Sequence, residues 1–417
     1  MAAFGESTEL RLGDFARSST GQLRAPLAHE TKLRFIPYAP DVWCPLLLSR
    51  ELRRGSVKCV SFLGRQLALF RCSDSSIAAL LDRCPHRGIA LSLGRVCGTA
   101  IQCAYHGWKV DGSGRVLSAP GVAALNTQVR AEGIEVRERA GVIWAFAGAR
   151  SDAASLPLPD LTPYGTKASV DILMRKNIRA HWSFVLDNAL DLFHQHLHRD
   201  IAFFFRVETL EHFASVGKRF DVHYRASMSS AYGMRRRGEL RIQVNDNVTT
   251  LNLNGFPIIH SVATPRSADG LEQTLWWFIA CPGSRAHRLF TYIARPLLRR
   301  YISKGFDQDV MILESEQRAF ENGLRMQQEL NPAVIAAHQH LNAKIVEFAR
   351  TKGLELGTAF VDSKQLLQEA RAGSIAVLVR SDGRYALAGP AELEQCIGRA
   401  DTVRVARHGN VVAVCAD

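Results

Sequence analysis

The chain has 417 residues, 47% hydrophobic and 22% charged, enough for two or three domains with ordinary globular cores. Its 52 Lys and Arg against 40 Asp and Glu leave +12, which favours acidic partners, yet apart from "RRR" at 235–237 and the cluster around Arg295–Arg300 the basic residues are scattered, as on a solvated surface rather than a nucleic-acid site. The opening "MAAFGESTELRLGDFARSST" lacks the apolar core of a signal peptide, no uncharged apolar run is long enough to span a membrane, and nine cysteines in that setting point to a reducing compartment, expected to be the cytoplasm.

Residues 1–35 read as an N-terminal extension. From 36 to 150 the chain reads as short strands: "SVKCVSFLGRQLALFRC" is two apolar runs around a turn, followed by "SSIAALL" and "GVIWAFAG". The stretch "ARSDAASLPLPDLTPYG", rich in Ser, Pro and Asp, marks a boundary. Over 165–350, "HWSFVLDNALDLFHQHL" carries apolar residues at helical spacing (Phe184, Leu190, Leu197), and "RFDVHYRASMSS", "GELRIQVND" and "QTLWWFIACP" read as antiparallel strands. "RLFTYIARPLLRRYISKGF", 288–306, reads as an amphipathic helix lying on protein, with a membrane surface as the second reading. "DQDVMILESEQRAFENGL" and "PAVIAAHQHLNAKIVEFARTK" are predicted helices, and 355–417 alternates short helices and strands. The class is α+β.

The strongest chemical signal is "CPHRGIALSLGRVCGTAIQCAYHGW" at 84–108: Cys84-x-His86, sixteen residues, then Cys103-x-x-His106. Two Cys–His pairs suit a [2Fe–2S] centre in which one iron takes two thiolates and the other two imidazoles, and Cys97 is not needed for that count. A structural zinc site has the same donors. The flanking "PHRG" and "YHGW" are not required by zinc, and with them the segment resembles the Rieske domain of Rieske non-haem iron oxygenases, the terminal α subunits of aromatic-ring-hydroxylating type. An electron carrier of the cytochrome bc type would need only this cluster.

The resemblance implies a second metal, a mononuclear iron held by two His and one carboxylate with positions left open for oxygen and substrate. Asn188-x-x-Asp191-x-x-His194 resembles the family's motif, and "DLFHQHLHRD" offers His194, His196 and His198. On a helix His194 and His198, four apart, share a face, whereas His196 points away, so His194 and His198 are the expected ligands. Most family members have four residues between the two histidines. Here there are three, and Arg199 stands at the longer spacing. By the same resemblance Asp309, in "FDQDVMILESEQR", is the expected carboxylate, with Glu314 and Gln317 following; Asp307 competes, its alternative task being helix N-capping. The family further implies that Asp191 bridges His106 of a neighbouring subunit and His194, and that Asn188 lies near the iron.

The fold implied is an all-β Rieske domain over 36–150, a helix-grip-like catalytic domain over 165–350 with an antiparallel sheet and covering helices, and a small C-terminal extension over 355–417. The activity implied is reductive activation of O₂ against an aromatic, terpenoid or secondary-metabolite substrate, with monooxygenation ahead of dihydroxylation and cyclisation or desaturation on the same scaffold as an alternative. No dinucleotide fingerprint occurs, so a ferredoxin or NAD(P)H-dependent reductase must deliver electrons. A homotrimer is the family's usual assembly. Phe203–Phe205, Tyr232, Trp276 and Trp277 could line a pocket or simply form core.

Overall fold

The computed structural model describes residues 33–34, 36, 38–122, 127–198, 205–229, 235–322, 329, 331–352, 359–371, 375–380, 385–398, 402–408 and 411–416. They divide into two compact units: Asp41–Asp160 with Thr264–Ala268, and the rest of the described chain.

The first unit is built of three small sheets. Val42–Leu48, Val142–Ala147 and Val136–Arg139 form one, in that order; Val57–Phe62, Arg65–Arg71, Ile77–Leu81 and Gly133–Ile134 form the second; Arg95–Cys97, Ala100–Gln102, Lys109–Asp111 and Val116–Ser118 form the third. The hairpin expected from "LGRQ" turns on Leu63 and Gly64, both at positive φ, which matches the right-handed twist of its strands. Phe70, Leu80, Ile101 and Val110 pack into a core that also takes in Cys84 and Cys103. The candidate cluster loops are therefore rooted in the hydrophobic interior rather than hung on a mobile edge.

The second unit is organised by a seven-stranded sheet in the order Ser169–Arg179, Glu272–Pro282, Phe256–Pro265, Val248–Leu253, Arg235–Asn245, Arg219–Ser229, Phe205–Val216. Alternation sorts its faces. Val170, Ile172, Met174 and Ile178 are buried while their neighbours are not, and Ile172, Met174 and Ile178 share a core with Leu313. Helices α1 (Trp182–Leu190), α2 (Arg285–Glu321) and α3 (Pro332–Thr351) cover the sheet. Each has its cap: the His181 ring nitrogen accepts from Ser183 N–H, Ser284 from His287 N–H, and Asn331 from Ala333 N–H with Pro332 in the first turn. The α+β class and the antiparallel sheet with covering helices are as expected.

Two expectations are corrected. The segments 288–306 and 307–321 are one continuous helix, α2, with Pro296 inside it, so Asp307 lies mid-helix and caps nothing. The helix expected over 181–197 stops at Leu190: Asp191 leaves helical geometry, and Leu192–His198 continue as a 3₁₀ turn.

The C-terminal segment joins this unit through a five-stranded sheet whose two faces are both covered. Ala376, Leu378, Val405, Val412 and Val414 face α4 (Ser363–Arg371) and α5 (Pro390–Ile397), while Val377, Leu387, Val411 and Ala413 enter the core that holds Ala333, Ala337 and Leu341 of α3. The tail is thus part of the packing around α3.

Candidate metal centres

Two loops of like design present the Cys–His pairs. Cys84 N–H donates to Ile89 O and Gly88 N–H to Cys84 O, both at 2.8 Å; Cys103 N–H donates to Trp108 O at 2.8 Å and Gly107 N–H to Cys103 O at 3.2 Å. Each turn closes on a glycine four residues after the cysteine, at φ +74° and +70°, a conformation that a side chain would strain. The two thiols are buried, 3% exposed each, whereas His86 is exposed and His106 half-exposed. The imidazole rings lie 4.8 Å apart, and His86 stacks flat on Trp108 at 4.7 Å. Burial and the adjacent Cys103 sulfur push the Cys84 thiol pKa up, so two thiolates here require cationic charge between them. Desolvation, then His106 and Arg87, lower the pKa of His86, favouring the neutral ring that binds metal. Inner sulfurs and outer imidazoles suit a cluster with unlike ends. Cys97 is turned elsewhere, its Sγ at 3.3 Å from Gln102 Oε1.

The second site is assembled where α1 breaks. Asp191 N–H completes the helix on Asp187 O, and the Asp191 carbonyl accepts from both His194 N–H, at 3.3 Å, and His194 Nδ1, at 2.6 Å. The Asp191 carboxylate accepts from Phe193 N–H at 3.0 Å. Within the chain, then, Asp191 holds His194 through its backbone and not through its carboxylate, as the family motif had suggested. The turn is pinned on both sides: Tyr224 donates to Leu190 O, and Gln195 exchanges two hydrogen bonds with the backbone of Val207.

His194 and His198 converge, their rings 5.4 Å apart, though not by the α-helical geometry expected. Asp309, from the middle of α2, meets them: its Oδ1 lies 3.3 Å from His198 Nε2 and 3.8 Å from His194 Nε2. His196 is exposed. Asp307 is turned to solvent in an ion pair with Lys176, Glu314 accepts from Arg179 N–H, and the buried Gln317 accepts from His181 N–H. Among the described residues no hydrogen bond joins Asn188 to the trio; it sits half-buried one turn before Asp191. Trp276 and Trp277 are core, Trp277 stacked on Phe306 at 4.0 Å. Phe203, Phe204, Tyr232, Arg199 and the Phe205 side chain lie outside the described residues.

One residue at this site was not anticipated. Gln308 Oε1 lies 3.0 Å from His198 Nδ1, and an amide oxygen can only accept, so the His198 proton sits on Nδ1. His194 likewise spends its Nδ1 proton on Asp191 O. Both Nε2 lone pairs are thereby left facing Asp309, whose buried Oδ1 has no hydrogen-bond donor among the described residues. Metal bonds of about 2 Å set ligand atoms roughly 3 Å apart, close to what is seen, and the three ligand atoms lie within 4.8 Å of one another. Burial alone would lower the His198 pKa, but once the ring is protonated its Nε2 proton faces Asp309, and this contact, with Gln308, holds the pKa above its ordinary value. A site that retains a proton against burial is one that asks for a cation, and its two-nitrogen, one-carboxylate donor set suits ferrous iron.

A further buried network, also unanticipated, fixes α1 from behind. Asp187 accepts from Arg34 at 2.7 Å and pairs with His338 of α3 at 2.6 Å, and the Arg34 guanidinium lies 3.5 Å over the Phe184 ring. Nothing in the local sequence separates Asp187 from a surface acid; its partners lie 153 and 151 residues away.

A Rieske [2Fe–2S] domain model matches residues 42–129. A 4β-methylsterol monooxygenase of Methylococcus capsulatus is 28% identical over 351 residues, covering 76% of this chain and 92% of the relative. The chain is a Rieske oxygenase. The oxygenase subunit of 3-chlorobenzoate-3,4-dioxygenase from Comamonas testosteroni is 34% identical over 159 residues, 37% of this oxygenase and 36% of the relative. The crystal structure of dicamba monooxygenase bound to dicamba shares the fold, with a TM-score of 0.58 at 20% identity over 75% of this chain and 98% of that one. The matched domain is one that carries a [2Fe–2S] cluster, and no helix among the described residues is long and apolar enough to cross a membrane.

Proposed function

We propose that this oxygenase is a terminal component that inserts one oxygen atom into a bulky polycyclic terpenoid or aromatic substrate. The observation that carries the reading is the pair of Nε2 lone pairs aimed at one buried, undonated carboxylate oxygen, in a chain that also holds two Cys–His loops. When bound, the metal groups supply single electrons from the cluster and open coordination positions for O₂ beside the substrate. In this reading 36–150 carries electrons, 165–350 performs catalysis and 355–417 extends it. Cys84, His86, Cys103 and His106 hold the cluster, and His194, His198 and Asp309 hold the iron. Gln308 and the Asp191 carbonyl orient the two imidazoles and make them better donors. Asn188 stands beside the site.

Monooxygenation consumes O₂, two electrons, two protons and a C–H bond, and yields an alcohol and water, so an external donor is obligatory. A ferredoxin or NAD(P)H-dependent reductase fills that role. Arg83, Arg87 and Arg130 line a cleft of about 430 Å³ beside the Cys84 loop, and with the +12 balance they favour an acidic carrier. The methylsterol monooxygenase relative, matched over 92% of its length, supports one-atom insertion and a polycyclic substrate.

Substrate-stimulated O₂ uptake by the reduced holoenzyme, screened over sterols, other terpenoids and aromatic acids, tests the reading, with ¹⁸O₂ labelling of the product. One labelled atom per product supports it. Two labelled atoms make the enzyme a dioxygenase, and no uptake with any class leaves an electron carrier.

A further inference from the structure

Helix α2 changes character along its length. Residues 285–306 contain Arg285, Arg288, Arg295, Arg299, Arg300 and Lys304 and no acid, whereas from Asp307 onward acids predominate. That order opposes the helix dipole, which favours anions at the N-terminal end, so helix stability does not account for these cations. The inner side of this half is Thr291, Leu298, Ile302 and Gly305, all buried or partly so at helical spacing, with Leu298 and Ile302 packed on the sheet core. The opposite side is also apolar. Leu289, Phe290, Tyr292, Ile293 and Leu297 are 62–74% exposed, and Leu289, Ile293 and Leu297 form an i, i+4, i+8 stripe. By helical spacing Arg300 and Lys304 continue the line of that stripe beyond Leu297, while Arg288, Arg295 and Arg299 lie on the flank between the stripe and the buried side.

Five large apolar side chains outward on about three turns are more than scattered surface residues, and such patches mark interaction sites. We propose that this face docks on the surface of an anionic lipid bilayer. The charge pattern selects that occupant. Two copies of the face brought together by a two-fold axis would set cation against cation, and a head-to-tail contact would have to bring acids opposite these cations, whereas an anionic headgroup layer neutralises the arginines while the apolar stripe enters the headgroup–acyl boundary. Arginine stems at the rim snorkel, keeping their guanidinium groups among the phosphates. The helix lies on the membrane and does not cross it, in keeping with the interruption of its apolar residues by charge. The inference goes beyond the oxygenase reading and does not depend on the iron.

Co-sedimentation of the full-length holoprotein with vesicles of phosphatidylcholine, alone or with phosphatidylglycerol, tests it. Binding is expected only to the phosphatidylglycerol vesicles and should weaken with salt. The double variants Ile293→Glu/Leu297→Glu and Arg299→Gln/Arg300→Gln should each weaken it at least about tenfold, with the visible cluster spectrum retained as the check on folding. Equal sedimentation with both vesicle types, no sedimentation with either, or unimpaired binding by a folded Arg299→Gln/Arg300→Gln variant overturns the proposal. So does dissociation of the oligomer by Ile293→Glu/Leu297→Glu in light scattering, which would give the face to a second copy. Should that variant misfold, the arginine variant and the salt dependence of the unaltered protein still decide.

Discussion

His194, His196 and His198 differ in what surrounds them more than in what they are. His198 is buried against Gln308 and Asp309, His194 is tied to a main-chain carbonyl, and His196 stands in solvent. His194→Ala, His198→Ala and Asp309→Ala should each remove the mononuclear iron, measured by metal analysis, while leaving the cluster spectrum intact; His196→Ala and Asp307→Ala should keep both. Gln308→Ala should lower iron affinity about 10- to 100-fold, the usual effect of removing the partner that orients a ligating histidine. Iron binds the neutral imidazole, and the His198 pKa in the metal-free protein is held above its ordinary value by Asp309 and Gln308. Protons therefore compete for the site from a higher pH than an ordinary imidazole would allow, and iron retention measured against pH should fall on the acid side. In the Gln308→Ala variant, which lacks one of the two groups that hold the proton, the bend in iron affinity against pH should move to lower pH, while the affinity above the bend is lower throughout.

At the scale of elements, α1 matters because it ends early. Its stop at Leu190 turns the chain so that a 3₁₀ segment faces α2, and the anchors run between elements: Tyr224 to the Leu190 carbonyl, the segment's own Gln195 to the Val207 backbone, and Gln317 to the helix start. Asp187 locks α1 to α3 and to Arg34. Burial works against its ionisation, but His338 and Arg34 prevail and hold its pKa below the usual carboxylate range. The native carboxylate thus gives up its proton more readily than the unfolded one. Its contribution is complete above the unfolded value of about 4 and is lost as pH falls through the native value. Asp187→Asn should destabilise the protein by about 3–5 kcal/mol near neutral pH, since it strands the largely buried Arg34 guanidinium and takes the carboxylate from the buried His338. Thermal unfolding followed from pH 7 down to pH 3 should show the gap between the two proteins narrowing as pH falls. A constant gap would mean that the pairing is not electrostatic.

For the molecule as a whole, three irons per chain are expected, two in the cluster and one mononuclear, with Cys84→Ala or Cys103→Ala bleaching the red-brown colour. Electron transfer requires the two centres to be close, and a head-to-tail ring of three subunits is the arrangement we propose, with Asp191 of one subunit meeting His106 of the next. Because the Asp191 backbone holds His194, Asp191→Asn leaves that contact in place and alters only the carboxylate. The variant should keep its metals and its trimer, seen by light scattering, yet oxidise its pre-reduced cluster more slowly in a single turnover. Normal cluster oxidation in Asp191→Asn, or a monomer at micromolar concentration, would remove the route between subunits.

Some of this was written in the chain itself. Two Cys–His pairs within one short segment declare a metal cluster because their donors, their turn glycines and their flanking rings are local, and hydrophobic alternation marked the strands that carry them. The choice of His194 and His198 over His196 was also legible, although for a reason that the fold replaced: the spacing suggested an α-helical face, and the convergence comes from a 3₁₀ turn pinned by residues remote in sequence. The choice of Asp309 over Asp307 rested on the family resemblance, and the physical reason for it lies in the tertiary structure. Two positions apart on one helix, they differ by about 200° in direction, so one reaches Lys176 and the other the histidines. Tertiary structure alone accounts for Gln308, for the burial of Asp187, and for the continuous α2 through Pro296, where packing on the sheet outweighs the local cost of proline. Local chemistry determined which metals this chain asks for. The meeting of His194 and His198 with Asp309, more than a hundred positions along the chain, exists only once the core has formed.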